Sequence, residues 1–130
     1  KQIHSLKKLL KNLITNYKIQ TCNILGHSDI APNRKKDPGE KFPWKILAKS
    51  KVCSWHTLNE KKIKKYRNKK ISKKEERLLL KNLRRIGYTK KMQKNSPLLI
   101  KAFQRKFRQE LVNGKTDREC LLISKNLIIS

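Results

Sequence analysis

The sequence predicts an α/β layer fold that continues into a small three-helix bundle. Residues 3–17 place apolar side chains at the i, i+3, i+4, i+7 spacing of an amphipathic helix. The apolar run 22–26 has the character of a short buried strand. Three segments rich in Leu, Ile and Phe, each with a helix-capping signal, follow from residue 72. A helix followed by a buried strand indicates an α/β layer, and three short helices can pack as a bundle.

The first predicted helix needs a packing partner that the sequence does not visibly supply. Its outer face is rich in Lys, and its apolar positions are Ile3, Leu6, Leu9, Leu10, Leu13, Ile14 and Tyr17. We expect this helix to pack on a sheet, although a basic amphipathic helix can also lie on a membrane surface. Because one strand cannot make a sheet, the open apolar face predicts that part of the domain lies outside this chain.

The stretch from Gly26 to Gly39 gathers most of the polar chemistry of the chain. His27 follows the predicted strand, and the Pro and Gly residues after it exclude a regular element. Zinc takes imidazole nitrogen and carboxylate oxygen, and catalytic zinc has three protein ligands beside an open position for water. His27 and Asp37 could supply two of these ligands, and the Lys35 ammonium could hold an oxyanion nearby. A structural histidine beside an ordinary Asp-Pro-Gly turn is the alternative.

A short helix and a basic linker are predicted between this loop and the bundle. The helix begins near Phe42 and Trp44, whose rings we expect to pack against the domain; lining a substrate groove is the alternative. Residues 51–71 are rich in Lys and show little periodicity, which is typical of a linker or surface segment. Binding of nucleic acid through these lysines and the rings of Tyr66 and Trp55 is the less favoured interpretation.

The three bundle helices are each predicted to begin at a Ser or Thr that can cap the first turn. The capping residues are Ser72 with Glu75, Ser96 before Pro97, and Thr116 with Glu119. The first of these helices is expected to end at Gly87.

The chain is strongly basic, with a net charge of +26 over 130 residues. Such a field favours polyanions, including nucleic acid, anionic lipid surfaces and anionic wall polymers. The lysines are dispersed, however, and accompany many Ile and Asn residues. This pattern favours compositional drift in an AT-rich genome over a selected binding surface, although a basic field would still help on an anionic cell wall.

The cysteines argue against both a disulfide framework and a cysteine-based zinc site. The three residues, Cys22, Cys53 and Cys120, have no close pairing spacing. Because Cys22 and Cys120 lie in apolar runs, both are expected to be buried. No stretch of the sequence approaches the ~20 apolar residues of a membrane span.

The loop motif also resembles the signature of a known enzyme family. The matching residues are Gly26, His27, Asp29, Ile30, Ala31, Pro32, Arg34, Lys35, Asp37, Pro38, Gly39, Phe42 and Trp44. They are similar to the pattern of the type-2 (AmpD/AmiD-like) zinc N-acetylmuramoyl-L-alanine amidases, which are related to peptidoglycan-recognition proteins. Glu40 departs from this pattern, since the family often has Pro there. The resemblance implies that His27 and Asp37 are the second and third zinc ligands and that Lys35 is the catalytic lysine.

The resemblance extends into the last third of the chain. The run 99–108, followed by Asn113, Gly114 and Asp117, is similar to the small peptidoglycan-binding-like domain of some family members. The implied organisation has three parts. They are the C-terminal half of an amidase domain at 1–50, a basic linker at 51–71 and a peptidoglycan-binding-like helical domain at 72–130.

Two catalytic parts of the family pattern have no counterpart in this chain. The first zinc His and the catalytic Glu belong to the N-terminal half of the amidase domain, and His4 and His56 do not fit the first-ligand position. We therefore expect the chain to be the C-terminal portion of a longer amidase and to be inactive alone.

The implied activity is hydrolysis of the amide between N-acetylmuramic acid and L-alanine in peptidoglycan, during wall degradation or recycling. The expected cofactor is Zn, and the expected partners are peptidoglycan or muropeptides together with the missing half of the amidase domain. Neither a specific nucleic-acid partner nor a transmembrane segment is expected. A non-catalytic peptidoglycan-binding remnant is the alternative, and a basic nucleic-acid-binding protein is less favoured. The C-terminal domain favours the periplasm or cell envelope, with the cytoplasm as the other compartment.

Overall fold

A computed structural model describes residues 1–32, 35–88 and 96–129, apart from the side chain of Ser96. The helices are α1 (Gln2–Tyr17), α2 (His27–Ile30), α3 (Trp44–Lys49), α4 (Glu60–Ile63), α5 (Lys73–Ile86), α6 (Ser96–Phe107) and α7 (Arg118–Ile129). Two 3-10 turns lie at Thr21–Asn23 and Lys64–Tyr66. Arg34 of the loop motif and the predicted cap by the Ser96 side chain fall outside this description.

The predicted α/β fold is wrong, because the described ranges contain helices and no strand. The segment 22–26, predicted as a strand, is a 3-10 turn followed by extended backbone that leads into α2. The Ile24 carbonyl accepts a hydrogen bond from Lys106 Nζ at 3.0 Å, where a strand would use a neighbouring strand. An apolar run gives a strand only where a second strand completes the ladder of hydrogen bonds. The described part of the predicted half-domain is therefore helical.

Helix α1 confirms the predicted amphipathic helix but packs on a small helical core in place of the expected sheet. This core contains Trp44, Leu47, Val52 and Cys53 as its buried residues, with Ile3, Leu6, Leu10 and Ile14 of α1 packed against it. No residue of α1 is itself buried. Leu9 and Tyr17 keep 54% and 72% of their surface exposed, so the apolar face of α1 is only partly covered.

The larger core lies among α5, α6 and α7. Its most enclosed side chains include Leu79, Leu83, Ile100, Phe103, Cys120, Leu121 and Ile123. Burying each large apolar side chain of this kind stabilises a fold by about 1.5–3 kcal/mol. Among these helices, α5 and α7 make the most extensive contact with each other.

The predicted helix ends are partly confirmed. Ser72 and Glu75 form the expected reciprocal capping box at the start of α5, and Gly87 ends that helix with a φ of 131°. The predicted cap of the last helix at Thr116 is wrong by one residue. Asp117 accepts the Cys120 N–H through Oδ1 at 2.9 Å, as a capping carboxylate does.

The segment 51–71, predicted as a linker, contacts both cores. Val52 and Cys53 are buried in the smaller core, and Ile63 of α4 belongs to the larger one. Arg67 donates from Nε and Nη2 to the Glu119 carboxylate at 2.7 and 2.9 Å. The division of the chain at residues 50 and 71 stays a prediction.

The cysteines differ in exposure. Cys53 and Cys120 are buried, whereas Cys22, which was expected to be buried, is exposed. Burial raises the pKa of the Cys53 thiol, and raises that of Cys120 to about 12, so both stay protonated and poorly nucleophilic. Among the described helices, none has the length and apolar character needed to cross a bilayer.

His56 gives this fold a stability that depends on pH. Its ring is 6% exposed and stacks on Trp55, and its Nδ1 has no hydrogen-bond partner among the described residues. Burial lowers the pKa of His56 below 6.5; Glu60 and Glu119 oppose this effect, and Lys45 reinforces it. The folded state therefore binds fewer protons than the unfolded chain. The stability contributed by neutral His56 is complete above pH 6.5 and is lost as the pH falls from there towards the folded pKa.

We expect the free energy of unfolding of the native chain to fall more steeply than that of His56→Gln between about pH 7.5 and about pH 5.5. Urea denaturation at both pH values measures the difference. His4→Gln, at an exposed position on α1, is the control and should keep the native slope. Identical slopes for the native chain and His56→Gln would contradict this account.

Candidate metal centre

His27 and Asp37 come together across the loop that separates them. His27 Nδ1 lies 2.6 Å from Asp37 Oδ2, and the two side chains are 68% and 63% exposed. The hydrogen bond from the imidazole lowers the pKa of the Asp37 carboxyl, with a smaller contribution from the Lys35 charge. The pair therefore combines an imidazole nitrogen with a carboxylate on an accessible surface.

Backbone contacts at the start of α2 hold this pair together. His27 is the first residue of α2, and its predicted place at the end of a strand is wrong. The Ser28 N–H donates to the Asp37 carbonyl at 2.8 Å, which fixes the returning end of the loop beside the helix. A Cβ at Gly26 would overlap the Pro38 ring, so only glycine allows the two ends of the loop to meet this closely.

The donor atoms fit two positions of a zinc site. Two ligand atoms on a tetrahedral zinc ion, each about 2.0–2.1 Å from it, lie about 3.3 Å apart. His27 Nδ1 and Asp37 Oδ2 would separate by less than about 1 Å to reach that spacing, and their exposure leaves room for the rotation. No group of three or more His, Cys, Asp or Glu side chains in the described part of the chain could hold a metal. A complete site needs at least one further protein ligand.

Lys35 lies two residues before Asp37 on the same loop. Its N–H donates to the Ala31 carbonyl at 2.9 Å, which attaches this part of the loop to the end of α2. Lys35 is exposed and has no ion-pair partner among the described residues. Its ammonium is thus available to an anionic group beside the pair.

Asp29 holds the start of α2 in place beside the candidate centre, a role that sequence reasoning missed. This carboxylate is 3% exposed and accepts hydrogen bonds from the Gly26 N–H at 2.9 Å and the Tyr88 hydroxyl at 2.7 Å. An acidic residue at the third position of a helix is a known capping signal and could have been found. The partner Tyr88, distant along the chain, carries no such signal. Burial and the Asp29 charge raise the pKa of the Tyr88 hydroxyl, which stays protonated as the donor.

Lys106 completes this buried network from α6. Its Nζ lies 3.6 Å from Asp29 Oδ2, donates to the Ile24 carbonyl at 3.0 Å and stands 4.3 Å above the Trp44 ring. Burial lowers the pKa of Lys106, and the Asp29 carboxylate opposes that shift. A buried ammonium is costly unless such contacts replace water. The network therefore connects the loop of the candidate centre to the three-helix core.

Tyr88→Phe should lower the free energy of unfolding by about 1–3 kcal/mol, because it leaves buried Asp29 Oδ1 without its donor. Asp29→Ala should cost more, about 3–5 kcal/mol, because Lys106 is then buried without its counter-charge. Urea denaturation measures both losses. Tyr17→Phe, at a position 72% exposed, is the matched control, and should change stability by less than about 0.5 kcal/mol. A loss in Tyr88→Phe no larger than in this control would remove the support assigned to the network.

Known proteins are similar to this chain both in sequence and in the arrangement of the helices. A family model described as N-acetylmuramoyl-L-alanine amidase matches residues 1–40, which include His27 and Asp37. N-acetylmuramoyl-L-alanine amidase AmiD from Escherichia coli K12 is 35% identical over 130 residues, covering 98% of this chain and 47% of that protein. The chain is AmpD/AmiD-like, since it resembles the type-2 N-acetylmuramoyl-L-alanine amidases over almost its whole length. It spans about half the length of this relative.

Solved structures show that the similarity extends over most of this chain. E. coli AmiD in complex with its substrate anhydro-N-acetylmuramic acid-L-Ala-D-γ-Glu-L-Lys matches with a TM-score of 0.84 and 34% identity. That match covers 98% of this chain and 51% of the solved one. AmpDh3 from Pseudomonas aeruginosa matches with a TM-score of 0.80 and 33% identity, over 97% of this chain and 51% of that one. The similarity therefore includes α5, α6 and α7 as well as the loop that carries His27 and Asp37.

A second group of relatives matches only a short part of the chain. The 1,6-anhydro-N-acetylmuramyl-L-alanine amidase AmpD from Enterobacter cloacae is 49% identical over 43 residues, which is 33% of this chain and 23% of that protein. The helices that continue beyond such a short match are shared with AmiD and AmpDh3.

Proposed function

We propose that this chain forms part of a zinc-dependent amidase that hydrolyses the bond between N-acetylmuramic acid and L-alanine in peptidoglycan. The contact between His27 Nδ1 and Asp37 Oδ2 is the observation that carries the proposal, since it brings two zinc-ligand types to one exposed point. The muropeptide in the AmiD complex supports this class of substrate.

Each residue of the loop has a distinct role in this proposal. His27 and Asp37 hold the ion, and Lys35 stabilises the negative charge that develops on the carbonyl oxygen of the substrate. Bound zinc would supply Lewis-acid activation of the carbonyl and of water. The hydrogen bond from Ser28 to Asp37 and the close packing at Gly26 set the positions of the ligands before the ion binds.

The proposed catalytic unit is larger than this chain. Two protein ligands leave zinc under-coordinated, and the described residues present no third ligand beside them. We therefore propose that the chain alone is inactive and that the other half of an amidase domain completes the site. The same observation favours a second candidate function, which is binding of peptidoglycan without hydrolysis.

Because two protein ligands leave zinc under-coordinated, the chain alone with added zinc should show no detectable turnover of an anhydro-muropeptide. Fusion to the part of E. coli AmiD that lies outside the match should restore cleavage, measured by chromatography of the released peptide. In this fusion, His27→Ala and Asp37→Ala should lose bound zinc, measured by atomic absorption. Lys35→Ala should keep zinc and lower kcat by about 10²–10³-fold.

Lys36→Ala is the matched control in the fusion, since Lys36 is the exposed neighbour of Lys35. It should keep both zinc and turnover. Equal zinc loss in the Lys35, His27 and Asp37 variants would remove the catalytic role proposed for Lys35. A folded, zinc-loaded fusion that retains muropeptide but never cleaves it would favour the non-catalytic candidate.

A further inference from the structure

Nearly all of the acidic side chains are already paired with basic ones. The chain has nine Asp and Glu residues against 35 Lys and Arg. Eight of the nine lie within 4.0 Å of a basic group in the described part of the chain: Asp29, Asp37, Glu40, Glu60, Glu75, Glu110, Asp117 and Glu119. The remaining cations therefore have almost no acidic side chains to neutralise them.

These remaining cations are densest between residues 61 and 74. The lysine patch, as we define it, consists of Lys61, Lys62, Lys64, Lys65, Lys69, Lys70, Lys73 and Lys74, all of which are exposed. Lys64 pairs with Glu110 at 3.4 Å. The other seven form no ion pair with any described carboxylate, so their positive charge faces solvent.

The fold places the lysine patch on the outer surface of the protein. Ile63, in α4, is 7% exposed and packs into the larger core. At helical spacing, Lys61, Lys62 and Lys65 then lie on the faces of this segment turned away from that core. Arg67, which follows, is anchored by Glu119 and Glu110 and holds the segment in place.

Folding alone does not account for these charges. Lys73 and Lys74 occupy the first turn of α5, where the helix dipole favours anions and disfavours cations. The capping box formed by Ser72 and Glu75 stabilises this helix start without help from either lysine.

The chemistry of the patch favours one class of anionic partner. The only arginine between residues 61 and 74 is Arg67, and its guanidinium is already paired with Glu110 and Glu119. It is therefore not free to recognise a base or a phosphate through bidentate hydrogen bonds. The Tyr66 ring is approached by Lys65 Nζ at 5.1 Å from its centroid and is only half-exposed, which disfavours stacking on nucleic-acid bases. No exposed large hydrophobic side chain lies between 61 and 74 that could insert into a bilayer. What the patch offers is a dense set of ammonium groups, as in polybasic segments that adsorb to anionic lipid.

We propose that the lysine patch docks this protein on an anionic phospholipid surface through charge alone, without insertion. This docking requires neither zinc nor the His27–Asp37 pair, so it can be tested independently of the amidase proposal.

The test compares two variants that remove the same number of charges from exposed lysines. The patch variant carries Lys61→Gln, Lys62→Gln, Lys65→Gln and Lys69→Gln. The control variant carries Lys8→Gln, Lys11→Gln, Lys41→Gln and Lys49→Gln. Co-sedimentation with phosphatidylcholine vesicles, with and without phosphatidylglycerol, measures partitioning. Far-UV circular dichroism and urea midpoints establish that both variants are folded.

The full chain should bind the phosphatidylglycerol vesicles, should not bind pure phosphatidylcholine, and should dissociate as salt is raised. The patch variant should bind about a hundredfold more weakly, whereas the control variant should lose less than about threefold in affinity.

Equal losses in the two variants would overturn the proposal, since binding would then follow net charge alone. Binding to neutral vesicles, or no binding to anionic ones, would also overturn it. A different result would be that the chain binds duplex DNA more tightly than vesicles of equal phosphate content and that the patch variant loses that binding. This result would overturn the lipid proposal and assign the patch to nucleic acid.

Discussion

The buried carboxylate of Asp29 is the interaction on which the rest of the structure depends. It accepts the Gly26 N–H at the start of α2 and the Tyr88 hydroxyl just after α5, and it faces the Lys106 ammonium of α6. A carboxylate with 3% exposure is tolerated only because all three groups replace the water it has lost. One charged side chain therefore attaches the polar loop to the apolar core.

This arrangement separates the support of the candidate metal centre from its chemistry. His27 and Asp37 are exposed and free to adjust to an ion, while the backbone that carries them is fixed by Ser28 and by the close contact of Gly26 with Pro38. Preorganised ligands on an accessible surface are what a metal shared with another polypeptide segment requires. The proposed zinc site needs this accessibility, because His27 and Asp37 supply only two of its ligands.

How far the sequence predicted this structure depends on how local each signal was. The periodicity of α1 and the capping box of Ser72 and Glu75 are local, and both predictions were confirmed. The loop motif brought His27 and Asp37 to notice, although their metal-binding roles stay a prediction. The strand predicted at 22–26 failed because strand formation depends on a partner that sequence periodicity does not reveal. The contacts of Asp29 with Tyr88 and Lys106 were out of reach for the same reason, since they join distant segments by tertiary packing alone.

Amide hydrogen exchange at Ser28 tests most directly the claim that the buried network fixes the candidate centre. The Ser28 N–H is hydrogen-bonded to the Asp37 carbonyl, so its exchange reports separation of the two loop ends. In Tyr88→Phe, this exchange should accelerate at least about tenfold relative to the amides of α5 and α7, because one support of Asp29 is lost. The account would be contradicted if, in Tyr88→Phe, the ratio of the Ser28 exchange rate to the exchange rates of the α5 and α7 amides stayed at its native value.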